Sequence, residues 1–397
     1  MYNQNAYALG TVGSIIRDIH AYGCQRAAQI GPENVYDFTI GNPSIPTPQQ
    51  VEQTIRDILA DTPSLQIHSY TSEAGDLQTR QAIADDLNSR YDTDAQPEQL
   101  FMTCGAAPAL CAVLNALTVP GAKMLAIAPF FPEYRPYVEM AGAEFGVVPA
   151  DMPDFQIRLD QVEAMLDENT VAIIINSPNN PSGTVYTRQT LEKLGALLTE
   201  KAAQYGHPIY IVADEPYREL VYGGVEAPFI PTVYKDTIVC YSYSKSLSLP
   251  GERLGYVYVP GCATDAKAIM AAVAGAARFL GHICAPSLWQ QVIARCAHLR
   301  PDLASYDKNR ITLYEGLIAA GYQVAKPDGA FYMFVKAPDG NAQAFCKFAM
   351  NYDLLAVPGD DFGCKEYFRV SYCVSHDQIV KSLPVFQKVL TEYTRQP

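Results

Sequence analysis

The chain has 397 residues, 49% of them hydrophobic, and a formal net charge of −13. That is enough apolar material for a large core in more than one domain, and the acidic balance argues against a nucleic-acid surface and against an anionic membrane. Ten cysteines are dispersed without a CxxC pair and six histidines show no HxxxH spacing, so a reduced, cytoplasmic protein without a metal is expected rather than a disulfide scaffold or a zinc site.

Met1 to Gly10 lacks a basic start and an apolar stretch, so no secretory signal is expected. The segment to about Pro46 is too short for a domain and is expected to pack on a small domain and the cleft. From Leu100 the pattern alternates. Leu100–Thr103 reads as a strand, Gly105-Ala106-Ala107 as a turn, and Pro108 to Leu117 as a helix. Short apolar, β-branched or aromatic runs follow at Met124–Ala128, Phe145–Val148, Val171–Ile175, Ile209–Ala213, Ile238–Tyr243 and Tyr256–Val259, with helical stretches such as Gln189–Gln204 between several of them. Such runs indicate a mainly parallel sheet buried on both faces, an α/β domain over 47–285. Ile269 to Ala285 is apolar but is interrupted by Arg278 and His282, too polar to span a bilayer. Beyond Pro286 a long helix is expected to lead into a smaller α+β domain, 286–397. Its strands are Ala330–Val335, Leu354–Val357 and Phe368–Tyr372, and a C-terminal helix closes it.

Chemistry concentrates at the ends of these strands. Lys245 lies in Ser242-Tyr243-Ser244-Lys245, directly after a strand, ringed by hydroxyls and with Arg253 eight residues on. A lysine there can form a Schiff base with an aldehyde cofactor while the hydroxyls and guanidinium hold a phosphate. A solvated loop lysine is the alternative. Asp214 ends the apolar run Ile209–Ala213, where a carboxylate needs a partner such as a pyridinium nitrogen; capping the next helix is its other use. Tyr217, three residues on, can share that face. Asn180, in Asn179-Asn180-Pro181-Ser182-Gly183, reads as turn chemistry that also places an amide at the carboxyl edge. Gly105-Ala106-Ala107 opens a helix and presents backbone N–H groups to an anion. No G-x-G-x-x-G occurs, which counts against a dinucleotide fold.

These segments resemble the class I/II pyridoxal-phosphate-dependent aminotransferases of fold type I, aspartate aminotransferase among them. The family's N-P-x-G, D-x-x-Y, S-x-S-K-x-x-x-x-x-G-x-R-x-G and F-R-[VI] elements match Asn180–Gly183, Asp214–Tyr217, Ser242–Gly255 and Phe368–Val370. Tyr70, Gly75, Arg80 and Ala82-Ile83-Ala84 resemble a further element, and Gly41 to Pro48 another.

The resemblance implies a homodimeric enzyme that carries an amino group from an amino acid to a 2-oxo acid by a ping-pong route on pyridoxal 5'-phosphate. It implies Lys245 as the catalytic lysine, Asp214 on the ring nitrogen, and Asn180 and Tyr217 on the phenolic oxygen. Ala106, Ala107, Ser242, Ser244 and Arg253 fall on the phosphate, with Tyr70 reaching in from a second subunit. Phe131 falls where the family stacks an aromatic on the ring, or packs as a core phenylalanine. Arg369, Asn180 and the Gly41 backbone fall on the substrate carboxylate. Arg278, at looser spacing, reads the substrate side chain across the subunit boundary or is an ordinary helix-surface arginine. Ala107 departs from one branch of aspartate aminotransferases, which has a lysine there. The donor is therefore open between aspartate or glutamate and an aromatic or small aliphatic amino acid. A carbon–sulfur β-lyase or a decarboxylase on the same scaffold, and a non-catalytic regulatory module, are the alternatives.

Overall fold

The computed structural model describes residues 1–11 and 15–395. Its centre is a seven-stranded sheet: β1 Leu100–Thr103, β2 Lys123–Ile127, β3 Glu144–Val148, β4 Thr170–Asn176, β5 Tyr210–Asp214, β6 Thr237–Ser242 and β7 Gly255–Tyr258. Their order across the sheet is β1-β7-β6-β5-β4-β2-β3. The contacts from β6 through β5, β4 and β2 to β3 are parallel, whereas β7 runs against both its neighbours. Strands β1, β5, β6 and β7 are buried at every position, as near-continuous apolar runs demand when helices cover both faces. On one face, helices Ala106–Leu117 and Ala266–Phe279 pack together through alanines and branched residues such as Ala109, Val113 and Val273. On the other, the helices Leu77–Tyr91, Arg188–Tyr205 and Ser287–Cys296 bury Leu87, Leu194 and Ile293.

A second, smaller unit holds a three-stranded antiparallel sheet of β8 Tyr332–Lys336, β9 Val357–Pro358 and β10 Tyr367–Ser371, in the order β9-β10-β8. Helices Leu303–Ala320, Ala342–Ala349 and His376–Tyr393 enclose its core, with Leu313, Phe345, Phe368 and Phe386 fully buried.

Two expectations change. The strand expected over Leu354–Val357 splits at Ala356. Leu354–Leu355 pairs in parallel with Tyr36–Asp37, while Val357–Pro358 pairs with β10. Competing partners on either side divide the run, and the N-terminal segment is thereby stitched to the small unit. The single long connecting helix is also two helices, Ser287–Cys296 and Leu303–Ala320, separated by a break that contains Pro301. The first of them buries Val292, Ile293 and Cys296 in the same apolar cluster as the sheet residues.

The carboxyl ends of β4, β5 and β6 open toward the small unit. In a parallel sheet this edge collects the loops that bind ligands.

Candidate active site

Strand β6 ends at Ser242, and a one-turn helix, Tyr243–Ser246, follows at once. Ser242 caps it: its Oγ accepts from the Ser244 N–H at 3.1 Å and lies 2.7 Å from Ser244 Oγ. This turn aims Lys245 into a cleft of about 260 Å³ between the two units. There Nζ donates to the Gly41 carbonyl at 2.6 Å and sits 5.5 Å from the centre of the Phe331 ring. Burial lowers the Lys245 pKa to about 8; the charges of Arg369 and Arg253 push the same way, against an opposing contribution from Cys373. An amine in such a setting is a ready nucleophile near neutral pH.

Facing it, Asp214 closes β5. Burial of Ile211 and Val212, worth about 1.5–3 kcal/mol each, helps carry its carboxylate into the core. Oδ2 accepts from Tyr134 Oη at 2.5 Å, whereas Oδ1 is buried without a hydrogen-bond partner. Burial raises the Asp214 pKa to about 7; the Tyr134 hydrogen bond opposes that shift and the neighbouring Glu215 adds to it. A buried carboxylate oxygen with no donor suits a cationic N–H brought by a ligand.

One end of the cleft gathers groups that can hold an anion. Helix Ala106–Leu117 begins there, after Gly105 at φ 98°, a backbone region open to glycine. A Cβ at position 105 would lie 2.8 Å from Arg253 Nη2. Ala106 and Ala107 in the first turn, Ser242, Ser244 and Arg253 all line the cavity. Arg253 Nη1 is 3.5 Å from Ser244 Oγ and 3.0 Å from the Pro250 carbonyl.

At the other end lies Arg369 on β10, fully buried. Nη1 donates to Asn180 Oδ1 at 2.9 Å, Nη2 donates to the Thr39 carbonyl, and Nε has no partner. Burial pulls its pKa below the usual arginine value. A guanidinium with an open N–H beside an amide can take a carboxylate in forked hydrogen bonds. Asn180 is held by its backbone N–H, which donates to Asn176 Oδ1 at 2.7 Å. Tyr217 Oη lies 3.0 Å from Tyr332 Oη, and Phe131 lines the wall, edge-on to Tyr134 at 5.7 Å.

Most positions expected from the sequence thus line one cavity: Gly41, Ala106, Ala107, Phe131, Asn180, Asp214, Tyr217, Ser242, Ser244, Lys245, Arg253 and Arg369. Two do not. Tyr70 is 95% exposed, and Arg278 is exposed in the last turn of helix Ala266–Phe279; neither lines the cleft of its own chain. Sequence reasoning missed Tyr134, Asn176, Tyr332 and Ile16. Asn176 sits one residue past a recognised strand core, and that position carried a usable signal. The others belong to stretches whose pattern is that of ordinary helix or strand.

The family model for aminotransferase class I and II matches residues 33–383. The chain belongs to the class I and II aminotransferases. A solved amino transferase from Eubacterium rectale is 50% identical, covers 100% of both chains and superposes with a TM-score of 0.97. An aspartate aminotransferase of Thermotoga maritima is 29% identical over 88% of this chain and 90% of its own. An aromatic-amino-acid aminotransferase 2 of Thermococcus litoralis is 27% identical over 91% and 93%. This aminotransferase is therefore a pyridoxal-phosphate-dependent transaminase of the fold-type-I class, acting on amino acids and 2-oxo acids.

Proposed function

We propose that Lys245 is the residue that holds the cofactor covalently between turnovers and moves the proton at the substrate Cα. The observation that carries this reading is the pairing, in one cavity, of a buried lysine with a lowered pKa and a buried carboxylate whose Oδ1 lacks a partner. Pyridoxal phosphate, when bound, supplies an aldehyde that links to amines and a protonated ring that draws electrons from the substrate Cα–H bond. The residues present fit that group. Asp214 Oδ1, buried without a partner, would accept from the ring N–H and so favour the protonated ring. Asn180 and Tyr217 would serve the phenolic oxygen, and Phe131, on the cleft wall, would pack on the ring. The N–H groups of Ala106 and Ala107, the hydroxyls of Ser242 and Ser244, and Arg253 hold the phosphate.

Arg369 and Asn180, with the Gly41 backbone closing the pocket, fix the substrate carboxylate. With the carboxylate so held, Lys245 Nζ, whose lowered pKa of about 8 makes the neutral amine accessible, would take and return the proton at the substrate Cα; release of the 2-oxo acid would then need water. The donor we assign is aspartate, glutamate or an aromatic amino acid. Relatives named for aspartate and for aromatic amino acids support both options. Arg278 would select the acidic ones.

We further assign a homodimer. Tyr70, Phe279 and Ile283 are exposed at 95%, 70% and 55%, and Cys284 Sγ on the Thr71 carbonyl at 3.7 Å joins their segments. Such apolar exposure suits a second copy, which would bring Tyr70 and Arg278 to the opposite cleft. Ten unpaired cysteines suit a reduced cytoplasm. Among the described residues no helix is long and apolar enough to cross a membrane, and no group of acidic, histidine or cysteine residues is arranged for a metal.

A half-reaction tests the reading. With one amino acid and no oxo acid, the holoenzyme releases one equivalent of 2-oxo acid per site and stops with the cofactor in its amine form. Continuous release of pyruvate and ammonia would instead identify a lyase.

A further inference from the structure

Tyr332 carries none of the recognised motifs, yet it stands between two residues that do. It opens β8 and faces Ser371 across the ladder, while Phe334 faces Arg369. Tyr332 and Arg369 are thus diagonal neighbours on one face, and the guanidinium carbon lies 4.6 Å from the centre of the Tyr332 ring. Its hydroxyl is 3.0 Å from that of Tyr217, and both rings are buried. On its other side runs the Gly41 backbone. A Cβ at position 41 would collide with Tyr332 Oη, so only glycine allows this approach. The same Gly41 carbonyl receives Lys245 Nζ. The phenol is therefore fixed from three sides.

A phenol has one proton to donate and lone pairs to accept. With its one proton donated in a hydrogen bond to the cofactor's phenolic oxygen, Tyr217 could only accept from Tyr332, whose hydroxyl is already in place. We propose that Tyr332 is a positioning residue that donates to Tyr217 and thereby strengthens the hydrogen bond from Tyr217 to the cofactor oxygen. This rests on the assignment of Tyr217 to that oxygen.

The titratable groups facing Tyr332 are Tyr217 from the loop after β5, Arg369 and Cys373 from β10 and its exit, and Lys245 beyond Gly41. Burial pushes the Cys373 thiol up to about 11. Burial raises Tyr332 to about 12 while Arg369 pulls it down. The positive charge under the ring polarises the O–H and makes it a better donor.

The test uses the holoenzyme and the pH midpoint at which the absorbance of the Lys245-linked cofactor changes. A better-served phenolic oxygen is less basic, so the proton it shares with the linked nitrogen leaves at lower pH. Tyr332→Phe keeps the ring under Arg369 and removes only the hydroxyl. It should raise the midpoint by roughly 0.5–1 pH unit, the equivalent of one hydrogen bond. Tyr217→Phe should raise it further, and adding Tyr332→Phe to Tyr217→Phe should change nothing more. A purely structural tyrosine would lower thermal stability without moving the midpoint. An unmoved midpoint in Tyr332→Phe, with a moved one in Tyr217→Phe, overturns the relay and leaves the site assignment standing. An equal Tyr332→Phe shift with and without Tyr217 overturns it as well, because the effect then bypasses Tyr217. No shift in Tyr217→Phe removes the assignment beneath the relay, and the relay with it.

Discussion

Replacing Asp214 with asparagine should make the cofactor-free protein more stable and the enzyme nearly inactive. Asp214 is buried, one carboxylate oxygen has no donor, and its pKa stands at about 7 against the ordinary 3.8. The folded state thus binds the proton more tightly than the unfolded chain does. Between about pH 4 and 7 the unfolded chain has already released it, so stability falls as pH rises through this window and levels off above it. At pH 8 the accumulated cost is about 4 kcal/mol, from roughly three pKa units at 1.36 kcal/mol each. A neutral asparagine side chain would avoid most of it and retain a hydrogen bond from Tyr134. The assay is urea unfolding of both apo-proteins at pH 5 and pH 8. The stability gain of Asp214→Asn should be about 1.6 kcal/mol at pH 5 and rise to about 4 kcal/mol at pH 8 by the same reckoning. In the holoenzyme the single-turnover rate should fall by roughly 10²–10³-fold, the scale set by losing one preorganised charge contact, with cofactor binding reduced far less. An equal stability difference at both pH values would refute the reasoning. So would equal losses of binding and rate, which would leave Asp214 a structural cap.

Lys245→Ala should abolish the borohydride-reducible cofactor bond and nearly all turnover; covalent cofactor retained in that variant would remove Lys245 from the role. In the apo-protein the rate of cofactor capture should rise with pH through about 8, as the lowered Lys245 pKa requires, and a midpoint near that of free lysine would contradict it. Arg369→Lys should raise KM for every amino acid by roughly tenfold or more, because a point charge replaces a forked donor; unchanged KM would place the carboxylate elsewhere. Arg278→Ala should lower kcat/KM selectively for aspartate if the partner subunit brings Arg278 to the cleft. An equal effect on aspartate and on an aromatic donor, or none, ends that assignment.

The large sheet was legible because each strand is a short apolar run and each intervening helix has its own period. Those patterns are local, and burial on both faces leaves little for distant contacts to override. Lys245, Asp214 and Asn180 were legible for a related reason: a polar residue at the end of an apolar strand, or an unusual run of hydroxyls, stands out from its neighbours. The division of Leu354–Val357 between two partners, the break of the connecting helix at Pro301 and the lodging of helix Ser287–Cys296 in the large core are different. They depend on which surfaces compete for a segment, and one segment's composition does not record its competitors. Tyr134 and Tyr332 lie in stretches that read as plain helix and strand. Only the fold, by bringing β8 against the loop after β5 and a helix against the end of that strand, gives their hydroxyls a partner, because hydrogen bonding acts over about 3 Å in space and is blind to distance along the chain.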